Sequence, residues 1–222
     1  MNCLLLRLTL VSDATFGRGE GMAGLVDAEV QADRFGLPYL SGKSLKGLLQ
    51  EECANILYSL RLQGKDTPWL DTAHRLFGRP GSTVTDEALM HVGSALLPSS
   101  LRQAVVAAVR RQEFTPGQVL DSLTAVRRQT AIDPRTGAAM DNTLRALRVI
   151  LRGCVFESQL SFASEPGDRD LALLAACVKG LRRGGTGRNR GRGELVATLW
   201  DDRGEEFTPS LFAFFRREVM AH

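Results

Sequence analysis

Hydrophobic and polar positions alternate through Leu4-Leu5-Leu6-Arg7-Leu8-Thr9-Leu10-Val11, which predicts a buried strand. Ser12 to Asp33 follows, with Gly17, Gly19, Gly21 and Gly24, and that glycine density reads as a loop. After Ser41 or Ser44, either of which can cap a helix, Leu45, Leu48, Leu49, Cys53, Ile56, Leu57 and Leu60 recur at helical spacing. The pattern weakens from Gly64 to Glu87, where Gly78-Arg79-Pro80-Gly81 is a turn, and Ala88–Leu97 reads as a second strand. Leu101–Arg111 is a helix with Val105, Val106 and Val109 inward. Ala125–Ile132 and Ala138–Ile150 flank the turn residues Asp133-Pro134-Arg135-Thr136-Gly137, which predicts a protruding hairpin. Cys154–Phe162 is a third strand. Asp168 or Asp170 then caps a helix through Leu173, Leu174, Cys177, Val178 and Leu181. Glu194–Trp200 is a fourth strand, and Ser210–Val219 a short terminal helix.

The order β–α–β–(insertions)–β–α–β predicts the α+β class, with a ferredoxin-like, RRM-like β-α-β-β-α-β core carrying a helical insertion and a hairpin. A single domain over 1–222 is expected, with insertions at about 64–87 and 98–150. Many RNA-binding domains use this four-stranded arrangement, but fold alone does not give function.

Composition narrows the choice. Hydrophobic residues at 44% and charged residues at 24% are an ordinary globular balance. The longest apolar runs, such as Leu171–Val178, are too short to span a bilayer, so no membrane partner is expected. The start of the chain lacks a basic segment followed by a long apolar stretch, so a cytoplasmic protein is expected. Cys3, Cys53, Cys154 and Cys177 form no CxxC pair and read as buried free thiols. His74, His91 and His222 offer little material for a histidine metal centre. Net charge is only +3, but arginine supplies 24 of the 28 basic residues. Its guanidinium forks onto phosphates and stacks on bases; a codon bias toward arginine is the plain alternative.

Two segments concentrate that chemistry. Arg182-Arg183-Gly184-Gly185-Thr186-Gly187-Arg188-Asn189-Arg190-Gly191-Arg192-Gly193 holds five arginines and no acid. Glycine lets backbone amides approach a phosphate, and arginine supplies charge and planar donors. It follows a helix rather than a strand and contains neither GxxxxGK[ST] nor GxGxxG, so a nucleotide-binding enzyme is disfavoured. A merely solvated loop is the bland alternative. The second segment, Gly36–Leu49, sets Gly42, Lys43, Ser44 and Lys46 around a helix N-terminus, where free amides and the dipole favour an anion. Simple capping by Ser44 with solvated lysines competes with that reading. Upstream, Gly24–Asp33 offers Asp27, Glu29 and Asp33, carboxylates able to hold Mg²⁺ or to remain solvated.

Together Gly24-Leu25-Val26-Asp27, Gly36-Leu37-Pro38-Tyr39-Leu40-Ser41-Gly42-Lys43-Ser44-Leu45-Lys46-Gly47, Leu76-Phe77-Gly78 and the late glycine-rich loop resemble the RAMP superfamily, the repeat-associated proteins of CRISPR systems. Ser41 stands where the family pattern has a proline, and Lys43 where it has a serine. Within the superfamily the chain looks most like the backbone subunits of type III effector complexes. The resemblance implies an antiviral-defence role and binding of CRISPR RNA by Gly42, Lys43, Ser44, Lys46, Gly184, Gly185, Thr186, Gly187, Arg188, Asn189, Arg190 and Arg192. It implies contact with target RNA, with other effector subunits and with copies or paralogues of itself, and it makes the hairpin around Ala125–Ile150 a thumb. Asp27 matches the aspartate of target-cleaving members, which implies endoribonuclease activity with Mg²⁺ or another divalent cation at Asp27. Ala28-Glu29 stands where those members often have a residue followed by proline. Two alternatives remain: a non-catalytic structural or capping subunit, and a CRISPR-RNA processing endonuclease, for which His74 and His91 lie far in sequence from both glycine elements.

Overall fold

Leu4, Leu6, Leu8 and Leu10 of strand β1 (Cys3–Leu10) are buried, and the residues between them are half-buried. A period of two puts the four leucines on one face of a sheet, which the helices cover. The computed structural model describes residues 3–17, 28–79, 88–140 and 143–221. β1 lies between β5 (Val155–Phe162) and β6 (Leu195–Trp200), and the short β2 (Met90–Val92) adds to the far side of β5. Every neighbouring pair in the order β2-β5-β1-β6 is antiparallel. With α1 (Gly42–Arg61) between β1 and β2, and α5 (Asp168–Gly180) between β5 and β6, this is the ferredoxin-like core.

α5 is buried at every position from Ala172 to Val178. It has no polar face to show because α1, α2 (Thr67–Phe77), α6 (Thr208–Ala221) and β6 all pack against it. The terminal helix is pinned by Phe215, whose ring lies 4.7 Å from that of Trp69 on α2. The outer edge of β6 is closed rather than left as a template for another strand: Leu195 N–H donates to Arg182 O at 2.9 Å, and Leu199 N–H to Thr208 Oγ1 at 2.7 Å.

The sequence pattern missed α2. Trp69, Thr72, Ala73, Leu76 and Phe77 form a regular buried stripe, but Thr72 and Ala73 dilute its apolar signal, and Pro68 resembles a breaker although the first helical turn tolerates it. α3 runs Ser99–Arg110; Val105 and Val109 pack on the core as expected, while Ala108 is the buried residue and Val106 is half-buried. It is followed by a helix also missed for its brevity, α4 (Pro116–Leu123), which has a Thr115–Gln118 capping box. The strand expected over Ala88–Leu97 is regular only across Met90–Val92. The chain bulges at Gly93, whose carbonyl accepts from Ser158 Oγ at 2.7 Å, and it rejoins β5 at Leu96. Neither Asp168 nor Asp170 is the cap of α5. That position is Gly167, and Asp170 reaches back to accept its N–H at 2.9 Å. All four thiols are free; Cys53 and Cys177 are buried, whereas Cys3 and Cys154 are half-exposed.

β3 (Thr124–Gln129) and β4 (Arg145–Ile150) form the expected hairpin as a separate two-stranded sheet, with a ladder shorter than the expected 125–132 and 138–150 and, among the described residues, only the isolated bridge Ile132–Ala139 nearer the turn. Its base is fastened to the segment after β1. Ala14 and Ile150 exchange backbone hydrogen bonds of 3.1 and 2.7 Å, and Arg127 places Nε and Nη2 on Asp13 Oδ2 at 3.0 and 2.9 Å. Arg148 is held more deeply, at 3.0 Å from Glu29 and 2.8 Å from Asp121, and its backbone N–H donates to Ala28 O at 3.0 Å. Glu29 is 6% exposed, so removing its partner leaves a nearly buried charge at a cost of roughly 3–5 kcal/mol. Among the described residues no helix is long and apolar enough to cross a membrane.

Candidate nucleic-acid interface

The glycine-rich loop leaves α5 at Leu181, which is buried, and closes on itself before β6. Arg183 and Glu194 form a β-bridge, and Gly184 N–H donates to Gly193 O at 2.9 Å. The ring is strapped to the chain after β1, with Thr186 N–H on Thr15 O and Gly193 N–H on Asp13 O, both at 2.9 Å. Its glycines therefore divide into two kinds. A Cβ on Gly193 would lie 1.9 Å from Gly184 O, and one on Gly185 would lie 2.5 Å from Thr15 O. These positions are glycine because backbone packs on backbone there. Gly187 and Gly191, at φ +75° and +76°, flank a 3-10 turn at Arg188–Arg190 and face open space or the end of a flexible side chain. Exposure in the loop falls at Asn189 and Arg190 of this turn and also at Arg182, Arg183 and Thr186, while Arg188 is half-buried.

Its arginines are placed differently from one another. Arg188 forks onto Glu51 of α1, Nη1 to Oε2 and Nη2 to Oε1, both 2.9 Å. Arg192 Nη2 donates to Gln129 Oε1 on the hairpin at 2.8 Å, and Arg183 Nη1 donates to Arg188 O at 3.2 Å. The Arg190 side chain is exposed, with no hydrogen-bond or ion-pair partner among the described residues. Asn189 is exposed beside it.

The helix start is largely satisfied by itself. Ser41 is the cap: its Oγ accepts from Ser44 N–H at 3.2 Å and lies 2.8 Å from Ser44 Oγ. Gly42 N–H donates to Ser94 Oγ at 3.3 Å, and a Cβ on Gly42 would come within 2.2 Å of Val92 O. Lys43 is exposed. Lys46 is half-buried, and that burial pushes its amine below the usual lysine range. It lines a cleft of about 450 Å³ with His91 and Ser161, so the fold brings His91 beside Lys46 although 45 residues separate them. The opposite stripe of α1 meets the glycine loop, at Leu48 beside Gly184 and at Glu51 on Arg188. Glu51 is nine residues into α1, about 14 Å from Gly42 at the helical rise, so the two basic segments meet α1 at different levels.

A third region was not apparent in the sequence. Between the glycine loop and the hairpin base lies an open cleft of about 810 Å³, lined by Arg127, Arg128, Arg152 and Arg192 together with Val11, Ser12, Asp13, Leu151 and Gly191. Its one carboxylate among the described residues, Asp13, already takes Arg127 and the Arg152 N–H. The Arg127-Arg128 pair was visible in the hairpin, but nothing in the sequence said that its base faces the loop. Asp27 lies outside the described residues. Among the described residues no three His, Cys, Asp or Glu side chains are grouped so as to hold a metal ion.

The family model of the RAMP superfamily matches residues 7–196. This chain belongs to the RAMP superfamily. No curated protein matches this RAMP chain in sequence. Its fold recurs in a chain of the cryo-EM structure of type III-B Cmr-beta bound to cognate target RNA. The TM-score there is 0.62 at 12% identity, over 96% of this RAMP chain and 99% of the other. A chain of apo type III-B Cmr-beta gives a TM-score of 0.61 at 14% identity, over 90% and 98% of the two chains. At such identities the likeness establishes a shared fold alone.

Proposed function

We propose that this RAMP protein binds a guide CRISPR RNA as a backbone subunit of a type III CRISPR ribonucleoprotein. The observation that carries the reading is the cleft between the glycine loop and the hairpin base, where, among the described residues, four arginines converge with one carboxylate that is already engaged. Clustered guanidiniums in an open groove suit a phosphate backbone, and Arg190, exposed and without a partner among the described residues, extends the same basic surface. The shared fold with a chain of an assembly bound to target RNA supports the same reading.

The test is RNA binding by the chain carrying Arg128→Ala, Arg190→Ala and Arg192→Ala together. Affinity for single-stranded RNA falls, and the slope of log affinity against log salt becomes shallower by about 0.7 for each phosphate that is no longer neutralised. An unchanged slope would remove this surface from the interface.

The finer part of the proposal is cleavage of guide-paired target RNA at Asp27. A hydrated divalent ion such as Mg²⁺ would neutralise charge developing at the scissile phosphate. The role of this chain is to hold the target nucleotide so that its 2′-hydroxyl lines up with the adjacent phosphodiester, with Asp27 supplying the carboxylate for the ion. Asp27→Asn in the assembled complex keeps side-chain size and removes charge, so guide binding persists and cutting stops. Wild-type cutting by the variant would make Asp27 a loop acid without catalytic consequence. A wild-type complex that never cuts opposite this subunit is the structural or capping subunit instead. Cutting that survives a chelator favours metal-free processing chemistry, for which Lys46 and His91 already line one cleft.

A further inference from the structure

The stretch Arg182–Gly193 contains no acid of its own, yet one of its arginines is capped by a carboxylate delivered from another element. Glu51 meets Arg188 end-on, with two parallel contacts of 2.9 Å. A guanidinium fork of this kind accepts a carboxylate or a phosphate in the same way, because both present two oxygens at matching separation. Glu51 therefore stands where an RNA phosphate would stand on Arg188.

The pair is built to be exchangeable. The Arg188 and Glu51 side chains are 34% and 47% exposed, so water screens the interaction. The loop does not depend on it for shape either. The ring is closed by the Gly184–Gly193 hydrogen bond and strapped to Thr15 and Asp13, and none of these contacts uses the Glu51 carboxylate. Arg190, two residues further on, has no such partner among the described residues and stays open. The same turn thus carries one open arginine and one covered by an internal anion.

We propose that Glu51 is a selectivity residue: an intramolecular carboxylate that occupies the phosphate fork of Arg188 until a nucleic-acid strand displaces it. This rests on the RNA-binding reading above and concerns the regulation of that same surface. An isolated anion, such as inorganic phosphate or a mononucleotide, has to expel Glu51 for no other gain. A strand already held at Arg190 or in the arginine cleft presents its next phosphate at high effective concentration, and exchange becomes favourable. Glu51 thereby lowers the affinity of the loop for small anions and short fragments and leaves long strands as its ligands.

The test uses the full chain as wild type, Glu51→Gln, Arg188→Ala and the double variant, titrated by fluorescence anisotropy with a labelled single-stranded RNA and by competition with inorganic phosphate. Glu51→Gln is expected to bind the RNA about threefold to fivefold more tightly at low salt, and the gain shrinks as salt rises. Phosphate competes measurably better against the variant than against wild type. In the Arg188→Ala background Glu51→Gln brings no gain, because the fork it covers is absent. Unchanged or weaker RNA binding by Glu51→Gln overturns the proposal, and weaker binding would mean that Glu51 orients Arg188 for the ligand. A gain that persists without Arg188 also overturns it, because Glu51 would then act only as bulk negative charge. If neither wild type nor Glu51→Gln binds RNA, the RNA reading itself fails; if wild type binds and Glu51→Gln matches it, only the role of Glu51 fails.

Discussion

Two basic, glycine-bearing segments meet helix α1, and they use their backbones in opposite ways. At the helix start, Ser41 and Ser94 take the first amides, Gly42 sits against Val92 O, and Lys46 turns toward the cleft of His91. In the late loop, Gly185 and Gly193 build a closed ring out of backbone contacts, and that ring holds up the turn at Arg188–Arg190, in which Asn189 and Arg190 are exposed. The first is a cap that closes upon itself. The second is a platform whose inner glycines serve packing and whose turn leaves Asn189 and Arg190 exposed while Arg188 is engaged by Glu51. The presence of glycine and base in a segment therefore does not by itself give access to a ligand.

The strongest way to break this comparison is to substitute the two kinds of loop glycine. Gly193→Ala meets both a left-handed backbone and the Gly184 carbonyl, and it lowers stability by roughly 3 kcal/mol or more in denaturant unfolding. Gly191→Ala meets only the left-handed conformation in open space and costs about 1 kcal/mol. Equal losses would show that the ring is not closed by backbone packing.

Binding separates the segments next. Arg190→Glu is expected to weaken single-stranded RNA binding about tenfold at low salt, since it replaces an open phosphate donor with a like charge. Lys46→Glu, in a different cleft, weakens it less while leaving the thermal midpoint within about 2 °C of wild type. A larger loss from Lys46→Glu would move the principal contact to the helix start. The smallest effect sharpens the picture of that start. Ser41→Ala removes the cap hydrogen bond and costs about 1 kcal/mol of stability with RNA affinity unchanged. A matching drop in affinity would mean that the capped amides also serve the ligand.

Much of the architecture was legible in the chain. Alternation located β1, β5 and β6, helical spacing located α1 and α5, and Asp133–Gly137 announced the hairpin turn. The misses share a cause. α2 and α4 carry small or polar residues within their buried stripes, or are too short for a period to emerge, and their helicity comes from the surfaces they pack on. At the candidate site, the glycine loop was visible because its composition is extreme. Glu51, Asp13, Gln129 and Arg152 were not, since each is an ordinary surface residue until a distant segment is brought against it.

By itself the sequence determined the α+β core, the superfamily signature and the existence of an arginine-rich loop, because these rest on local periodicity and composition. Only the tertiary structure decided which of those arginines stay open. Arg188 meets Glu51 across 137 residues, Arg127 meets Asp13 across 114, and Arg192 meets Gln129 across 63. The charge available to a ligand is what remains after such long-range pairings, and they are set by how the sheet, α1 and the hairpin come together rather than by any local run of residues.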